Sequence, residues 1–245
     1  MKIIIRSHGG LGNQIFQIFY AIMVRNRLPD SEIIIYHDNR YDHRFELSSI
    51  FADRFQIKSI SDASFIVRFR LVKFLEKLKI NSGILISKNI VYLDGYFNNC
   101  SALKNFETFE VSLALKELRN IIGTSKKEKE VVLYHLRLGD FFSSEKEKKD
   151  FLLTKISSIK VHSHVVTNEE SFVEDPLLKK IIISKNLKLI STKNMTDHKV
   201  LDIMGEYNLI NTNGSTLAFW AAVLNKKKLE INHKILNDLY RFLKK

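Results

Sequence analysis

Apolar residues recur along the chain at two spacings, which alternate from one segment to the next. The short apolar runs Lys2–Arg6 and Glu32–Tyr36 are typical of buried strands, whereas Gln14–Asn26 carries apolar residues at helical spacing. Between the first strand and the helix, Ser7–Asn13 is rich in glycine and is predicted to be a loop. The chain is therefore expected to open with a strand–helix–strand unit.

Three later segments indicate further secondary structure in the first half of the chain, and the last of them lies at its end. Phe65–Leu78 mixes apolar and basic residues at helical spacing, which predicts a basic amphipathic helix. Ile90–Leu93 is predicted to be a strand that leads into the polar and aromatic run Asp94–Asn98. Ile122–Glu130 is polar and contains the charged run KKEKE, which is typical of a linker. We therefore expect two α/β halves, residues 1–122 and 123–245.

The second half is expected to continue as alternating strands and helices. The segment Phe141–Asp150, after its first strand, is predicted to be a charged loop. The remaining predicted elements are the strand Val161–Val166, the helix Leu177–Ser184, the strand Leu187–Ile190, the helix His198–Tyr207, the strand Leu209–Ile210, the loop Asn211–Ser215, a helix that runs through Trp220 to Leu224, and a basic amphipathic tail from Leu236.

The composition narrows the class of protein. The chain of 245 residues is 45% hydrophobic, which is enough for a packed core, and its formal net charge of +12 favours anionic partners such as nucleotides, nucleic acids or phospholipid surfaces. The single cysteine, Cys100, excludes an intramolecular disulfide framework and favours a reducing compartment. No stretch reaches about 18 apolar residues, so neither a signal peptide nor a membrane span is expected.

The most informative stretch is VVLYHLRLGD at Val131–Asp140, an apolar run that ends in a polar turn. A buried strand that ends in this way delivers functional groups to the rim of a sheet, where α/β proteins bind ligands. Arg137 offers a planar fork of donors suited to phosphate, and His135 offers one donor and one acceptor. The stretch predicts an anion-binding strand end, with a charged surface turn as the alternative.

Two other patterns allow more than one interpretation. Ser215 and Thr216 lie at the predicted start of a helix, where they can bind a phosphate or simply cap the helix. His162 and His164 alternate to one face of a predicted strand at a spacing that a metal could use. Because no carboxylate or third histidine supports that spacing, core or surface histidines are favoured.

Four segments, taken together, resemble the α-1,2-fucosyltransferase family, the bacterial glycosyltransferase family 11. GGLGNQIFQIFYA at Gly9–Ala21 is similar to the family signature GGLGNQMFQYA, and HLRLGD at His135–Asp140 is similar to HxRRGD. LDGYFNN at Leu93–Asn99 resembles LxGYFQ, and NGSTLAFWAA at Asn213–Ala222 resembles NSTFSWWAA. The four motifs follow the family order over nearly the whole chain.

The resemblance implies an α/β fold of the GT-B type, with two Rossmann-like domains that face a cleft. Residues 1–122 are expected to hold the acceptor, and residues 123–245 the donor GDP-β-L-fucose. The implied reaction is an inverting transfer of L-fucose to a glycan hydroxyl, typically the 2-OH of galactose, in the synthesis of a bacterial O-antigen or capsule. The resemblance implies neither a metal nor another cofactor.

The resemblance also assigns roles to residues of the donor side. Arg137 matches the arginine expected on the donor diphosphate, and His135 lies beside it at the nucleotide. Ser215 and Thr216 match a hydroxyl pair near the phosphates, and Glu169 is the weaker candidate for the guanine N1 and N2 donors.

The acceptor side and the chemistry have their own candidates. The residues that match the loop facing the cleft are Gly10, Gly12, Asn13 and Gln14. Asp140 and Glu145 follow the central strand and are the carboxylates considered for the base that deprotonates the acceptor. The chain departs from the family at Leu138, where relatives carry a second arginine, so that Arg137 bears more of the diphosphate charge.

The first alternative is a GT-B glycosyltransferase of the same family with a different donor or acceptor, and two other classes stay open. A nucleic-acid-binding protein would use the basic charge, but the basic residues are dispersed, and nucleic acid is not expected as a partner. A nucleotide-cofactor oxidoreductase would use the glycine loop, but Ile15 stands where a third glycine is needed. The expected partners are GDP-fucose and a galactose-containing acceptor, for which a lipid-linked form stays open. The expected location is the bacterial cytoplasm, with peripheral contact to the inner face of the membrane as an open question.

Overall fold

A computed structural model of the chain describes residues 1–37, 50–77, 84–136, 144–167, 175–192 and 194–244. The chain forms two compact units, one of Met1–Gly123 with the residues from Arg241 onward, the other of Thr124–Tyr240. Each unit contains a five-stranded sheet with helices between its strands. The predicted fold class, α/β with two Rossmann-like units, is confirmed.

The first unit is organised around its first strand, which is apolar and buried over most of its length. A strand buried on both faces is typical of a parallel sheet covered by helices. In sequence order the strands are β1 (Lys2–Ser7), β2 (Glu32–His37), β3 (Gln56–Ser59), β4 (Ile84–Ser87) and β5 (Ile90–Leu93). They lie in the order β3-β2-β1-β5-β4, and β4 pairs antiparallel with β5 while the other pairs are parallel.

The described helices of the first unit lie between these strands and after β5. They are α1 (Leu11–Arg27), α2 (Phe65–Arg68), α3 (Leu71–Lys77), α4 (Cys100–Leu103) and α5 (Thr108–Ile122). The predicted strand–helix–strand opening is confirmed, because α1 follows β1 and precedes β2, and the two strands pair in parallel. The apolar face of α1 is buried, as its helical spacing predicts.

The second unit has a sheet in which every pair of neighbouring strands is parallel. The strands are β6 (Lys129–Leu136), β7 (His164–Thr167), β8 (Lys188–Ser191), β9 (Tyr207–Thr212) and β10 (Lys228–Ile231), in the order β10-β9-β6-β7-β8. The described helices of the second unit are α6 (Glu145–Ser158), α7 (Pro176–Ser184), α8 (Asp197–Gly205), α9 (Thr216–Leu224) and α10 (Lys234–Leu243), of which the residues from Arg241 onward belong to the first unit.

The starts of these helices follow from local sequence. Ser144, Asp175, Thr196 and Ser215 each precede a helix, and each side chain accepts a backbone N–H group of the first turn. Such caps pair N–H groups that have no partner within the helix. Within the described part of the chain, no helix combines the length and the apolar character that crossing a membrane requires.

The single helix predicted over Phe65–Leu78 is wrong, since the described part of this segment forms the two short helices α2 and α3. Arg70 lies between them with a φ of +55°, a left-handed conformation that a helix cannot continue. The sequence predicted one continuous helix because apolar residues recur at helical spacing on both sides of this break.

Several other predicted boundaries are also wrong. Glu145–Asp150 belongs to α6 and not to a loop, because Ser144 caps a helix there. Leu11–Asn13 belongs to α1 and not to the glycine loop. The linker predicted over Ile122–Glu130 is shorter, because Ile122 ends α5 and Lys129 begins β6.

The predicted boundaries around β7 and β9 also need correction. His162 lies in a turn with a φ of +59°, and β7 begins only at His164, so the two histidines do not share a strand face. The predicted helix over His198–Tyr207 ends at Gly205, and Tyr207 instead begins β9. The predicted strand over Leu209–Ile210 was therefore too short, and the loop predicted from Asn211 begins later.

Candidate functional site

Each sheet contains one place where the order of its strands reverses. In the first unit the chain proceeds outward from β1 to β2 and β3, then crosses to the other side of β1, where it forms the edge strand β4 and then β5. In the second unit it proceeds from β6 to β7 and β8, then returns to β9. In open α/β sheets ligands bind at the carboxyl ends of the two strands that flank such a reversal. We call these places the first switch point, between β1 and β5, and the second switch point, between β6 and β9.

The second switch point brings together polar residues that are far apart in sequence. His135 near the end of β6 is in register with Thr212 at the end of β9, and both are buried. On the other side of β6, Thr167 at the end of β7 is buried next to Leu136. Three neighbouring strands therefore present polar side chains at one edge of the sheet.

Helix α9 starts directly after this edge. Ser215 donates its backbone N–H to Oγ1 of Thr212 over 3.3 Å, and its own Oγ accepts the N–H of Ala218 over 3.3 Å. In the described part of the chain no hydrogen bond engages the N–H groups of Thr216 and Leu217. Such N–H groups at the start of a helix bind anions, and the helix dipole adds to the attraction.

Gly214 allows the chain to turn from β9 into α9. Its φ is +121°, a conformation that residues with a side chain rarely adopt. The ring of His233 lies 3.4 Å from the position that a Cβ atom would take, and its Nδ1 accepts the N–H of Leu236 at the start of α10. The turn that places Ser215 is therefore fixed by backbone conformation.

The candidate donor residues fall into two groups. The structure brings His135, Ser215 and Thr216 to the second switch point. Arg137 and Glu169 lie outside the described residues, shortly after the ends of β6 and β7 in sequence. Their roles stay predictions.

The structure describes only one of the two candidates for the base. Asp140 lies outside the described residues. Glu145 lies in the first turn of α6, where its side chain is 75% exposed and forms an ion pair of 2.8 Å with Lys148. A solvated carboxylate of this kind is available to a ligand but is not held in one position.

At the first switch point, the four residues of the predicted glycine loop lie at the start of α1. Gly10 precedes the helix, and Gly12, Asn13 and Gln14 lie in its first turn. Gln14 is buried and donates from Nε2 to the carbonyl oxygen of Gly9 over 2.6 Å. Its Oε1 has no hydrogen-bond partner in the described part of the chain. Gln14 therefore holds the loop against the helix.

Three residues that were not among the predicted site residues form a network at the first switch point. Arg70 binds Asp94 through Nη2 at 3.1 Å and Nε at 3.3 Å, and its Nη2 also lies 3.4 Å from Nε2 of His8. His8 follows β1 directly, and Asp94 follows β5. The ring of Tyr96 packs on His8 with centroids 4.7 Å apart.

The network fixes the protonation of His8. A guanidinium group only donates, so Nε2 of His8 accepts from Arg70, and Nδ1 carries the proton and donates to the carbonyl oxygen of Arg6 over 3.3 Å. Burial of the ring and the neighbouring Arg70 cation lower the pKa of His8 below its usual value. His8 is therefore neutral and already engaged, and the charge of Arg70 is balanced by Asp94.

Sequence signals for this network were uneven. Asp94 and Tyr96 lie in the polar run after a predicted strand, and His8 directly precedes the glycine motif, so the strand ends pointed to all three. Arg70 gave no signal, because it stood within an apparently continuous basic helix. Its role depends on the break between α2 and α3.

Among the described residues, no group of three or more histidine, cysteine or acidic side chains is placed to hold a metal ion. His164 contacts the Tyr207 hydroxyl through Nδ1 at 2.7 Å, and no metal is needed to explain its position. The expectation that the reaction needs no metal stays a prediction.

No protein-family model matches the chain, and a search of curated proteins by sequence found no match. Solved structures with a similar arrangement include the heptosyltransferase WaaC of E. coli with ADP-2-deoxy-2-fluoro heptose, at 9% identity and a TM-score of 0.49, covering 94% of this chain and 88% of that one. POFUT1 in complex with GDP-fucose is 10% identical with a TM-score of 0.39, covering 94% and 97%. A putative UDP-N-acetylglucosamine 2-epimerase from Listeria monocytogenes is 10% identical with a TM-score of 0.44, covering 94% and 78%. The resemblance carried by the four motifs stays a prediction.

Proposed function

We propose that the chain is an inverting glycosyltransferase that moves L-fucose from GDP-β-L-fucose to a hydroxyl of a glycan, the 2-OH of galactose in the first instance. The proposed setting is the assembly of a bacterial surface polysaccharide such as an O-antigen or capsule. The second unit is proposed to bind the donor, and the first unit the acceptor.

One observation carries this proposal. The motifs HLRLGD and NGSTLAFWAA are separated by more than 70 residues in sequence. The first begins with His135 and Leu136 at the end of β6, and the second directly follows Thr212 at the end of β9, with which His135 is in register. This pair of strands flanks the second switch point, where nucleotide ligands bind in open α/β sheets. The described parts of the two motifs, which are distant in sequence, therefore lie at the same edge of the sheet, where they would act together.

The residues divide the work according to their chemistry. Thr216 and the N–H groups at the start of α9 offer neutral donors to the diphosphate, while Arg137 offers a cation with a planar fork. When the bond between fucose C1 and the diphosphate breaks, negative charge grows on the leaving phosphate. Donors fixed at that position stabilise the transition state more than the bound substrate, and so they raise turnover.

The acceptor hydroxyl must lose its proton as the new bond forms, and a carboxylate must approach within about 2.6–3.2 Å of it or act through one water. Asp140 and Glu145 are the candidates. If both Asp140→Asn and Glu145→Gln bind GDP normally and keep near-full turnover, neither is the base, and a carboxylate elsewhere has to be sought.

The test is a transfer reaction with GDP-fucose and a panel of galactose-terminated oligosaccharides, read by mass spectrometry. We expect a mass gain of one fucose on at least one acceptor, and the same rate in EDTA with or without added Mn²⁺, because cationic side chains and helix N–H groups can balance the diphosphate. Loss of turnover in EDTA that Mn²⁺ restores would contradict the metal-independent mechanism. Parallel titrations with GDP, NAD and single-stranded DNA discriminate the other classes, since only GDP is expected to bind tightly.

Peripheral membrane contact is part of the proposal, and it is supported by three exposed aromatic side chains on α2, α3 and the turn between them: Phe65, Phe69 and Phe74. The centroids of the Phe65 and Phe69 rings lie 4.6 Å apart with the rings tilted, and the guanidinium of Arg68 lies 5.9 Å from the Phe69 ring. Exposed aromatics beside cations suit the interface of an anionic bilayer. Flotation with anionic liposomes should show binding that high salt weakens, and absence of binding at low salt would contradict membrane contact.

A further inference from the structure

A cavity of about 350 Å³ opens beside the carboxyl end of β5 in the first unit. Its volume lies at the lower end of the range of about 300–1,000 Å³ that is usual for small-molecule sites. The described aromatic and amide side chains that line it are Tyr20, Tyr96, Phe97, Asn98, Asn99 and Asn105. The cavity is therefore lined by aromatic rings and amides.

The described lining contains no lysine, arginine, histidine or acidic residue, although 27% of the whole chain is charged. Burial raises the pKa of Tyr20, so its hydroxyl stays protonated and neutral. A larger cavity of about 710 Å³ at the other end of the sheet is different, because Arg25, Asp53 and Arg54 are among its lining residues. The smaller cavity therefore differs from the larger one in that its described lining has no ionic side chain.

Neutral polar ligands are what such a lining can recognise. Each asparagine offers a carbonyl acceptor and an amide donor, which is the pair of functions that a sugar hydroxyl needs. Asn99 uses its Oδ1 to accept the N–H of Ala102 over 3.0 Å, which fixes the side chain and leaves its amide group as a donor. A ligand with several hydroxyl groups can satisfy these amides without bringing a charge.

The aromatic wall of the cavity is held in one conformation. Phe97 has a φ of +51°, which a bulky residue rarely adopts, and its ring stacks on that of Tyr20 at 4.1 Å. A Cβ atom on Gly95 would lie 3.3 Å from the Phe97 ring, so the absence of a side chain there lets the ring pack against the backbone. Backbone strain of this kind is concentrated at functional sites.

The cavity also adjoins the first switch point. Tyr96 lines the cavity, and the same ring packs on His8 at the end of β1. The charged groups nearby are already compensated, since Arg70 pairs with Asp94 and His8 is neutral. The described lining therefore presents no ionic side chain to a ligand.

We propose that this cavity binds a neutral hexose unit of the acceptor glycan, with the asparagine amides contacting its hydroxyls and Tyr96 contacting its apolar ring face. The proposal rests on the proposed function, because a transferase that uses a glycan acceptor needs such a site in addition to its donor site. In this proposal, the uncharged lining is the reason that a neutral sugar binds in preference to an acidic one.

The test measures binding of methyl β-D-galactopyranoside to the full chain by saturation-transfer NMR, without any donor. We expect binding to the wild-type protein, and a dissociation constant about tenfold higher in Asn98→Ala and in Tyr96→Ala, since a lost hydrogen bond or ring contact accounts for a change of that size. Tyr96→Phe keeps the ring and is expected to bind within about threefold of wild type. Galacturonate, the acidic counterpart, is expected to bind more weakly than the galactoside.

Matched controls are available at positions outside the cavity. Asn89 is an exposed asparagine at the amino end of β5, and Phe109 is a 70% exposed aromatic residue on α5. Asn89→Ala and Phe109→Ala should leave galactoside binding unchanged, and all variants should keep the GDP affinity and the thermal midpoint of the wild type. A lining variant that unfolds is replaced by Asn105→Ala, which changes an exposed side chain.

The outcomes separate this inference from the proposed function. If the wild-type protein binds no galactoside, if the lining variants bind it as wild type does, or if galacturonate binds more tightly, the cavity assignment is overturned. If fucose is transferred but the acceptor KM is the same in the lining variants, the cavity assignment fails and the proposed function stands. If the lining variants lose galactoside binding but no fucose is transferred to any acceptor, the cavity assignment stands and the proposed function fails.

Discussion

The two switch points occupy the same place in their sheets, at the carboxyl ends of a central strand and of the neighbour that the chain reaches last. At the first, Arg70 pairs with Asp94, and a neutral His8 lies beside them. At the second, the described polar groups leave donors unused, among them the N–H groups of Thr216 and Leu217. We call the first the closed edge, because Arg70 and Asp94 pair with each other, and the second the open edge, because its N–H donors are available to an anion.

This difference teaches that topology selects the place of a site, and side-chain pairing selects its ligand. Both edges have the geometry in which α/β sheets bind ligands. An ion pair that is satisfied internally attracts no counter-charge, so we expect a neutral ligand at the first edge. A helix start with free N–H groups attracts phosphate, so we expect the nucleotide at the second edge.

The largest effect on stability is expected from removing the carboxylate of the closed edge. Asp94→Ala leaves the Arg70 cation partly buried without its carboxylate, which should lower the free energy of unfolding by about 3 kcal/mol. Urea unfolding measures this change, and GDP affinity should stay unchanged. Asp62→Ala, on an exposed carboxylate of the same unit, is the control and should cost less than about 0.5 kcal/mol. A loss below about 1 kcal/mol in Asp94→Ala would show that the ion pair is not what holds this edge.

The next effect concerns the cation of the open edge. Arg137→Ala should reduce turnover of GDP-fucose by more than about 100-fold, by analogy with the removal of one donor to a developing anion. Arg137→Lys keeps the charge but loses the planar fork, and it should recover only a small part. Steady-state kinetics with GDP binding measured in parallel decide the matter. If Arg137→Ala leaves turnover and GDP affinity within a few-fold of wild type, the role of the HLRLGD motif has to be withdrawn.

Two adjacent hydroxyls at the open edge should separate ligand binding from stability. Thr216→Val removes a hydroxyl that has no partner in the described part of the chain, and should weaken GDP binding about fivefold while stability changes little. Ser215→Ala removes the cap of α9, and should lower the free energy of unfolding by about 1 kcal/mol. Calorimetric titration and urea unfolding of both variants test this. Equal loss of stability in the two variants would mean that Thr216 is a structural residue.

The smallest effect is a pH dependence of stability from the neutral histidine of the closed edge. The pKa of His8 is lowered in the folded chain, so below the ordinary value near 6.5 the unfolded chain binds the proton more readily. The contribution of His8 is fully present above that value and is lost as the pH falls through and below it. His8→Gln should therefore flatten the decline in thermal midpoint between about pH 7 and about pH 5. An unchanged slope in His8→Gln would show that His8 titrates normally.

Much of the framework could be predicted from the sequence. The βαβ opening, the division into two α/β halves and the edge carrying His135 and Ser215 all follow from local signals, namely apolar periodicity, helix caps and polar strand ends. What could not be predicted depends on backbone breaks and long-range pairing. The left-handed Arg70 interrupts a periodic helix, and its pairing with Asp94 needs the tertiary fold.

The His162 and His164 prediction failed for a related reason. Alternation predicts a shared face only if both residues lie in the strand, and the turn at His162 removes one of them. Similarly, the charged segment around Glu145 read as a loop because it lacks apolar residues, although a single serine cap and helix-forming Lys and Glu residues start α6 there.

The buried Arg6 has a consequence for how the first unit assembles. From β1 it donates through Nη1 to the carbonyl oxygens of Val67 and Arg68, at 2.5 and 3.1 Å, and so joins the core strand to the last turn of α2. These contacts close a segment of about sixty residues, and contacts between distant parts of a chain form slowly because loop closure costs entropy. Arg70 lies just beyond this junction, and its ion pair with Asp94 also joins residues that are distant in sequence. Because this pair joins residues 70 and 94, a nascent chain that ends before residue 94 cannot contain the closed edge.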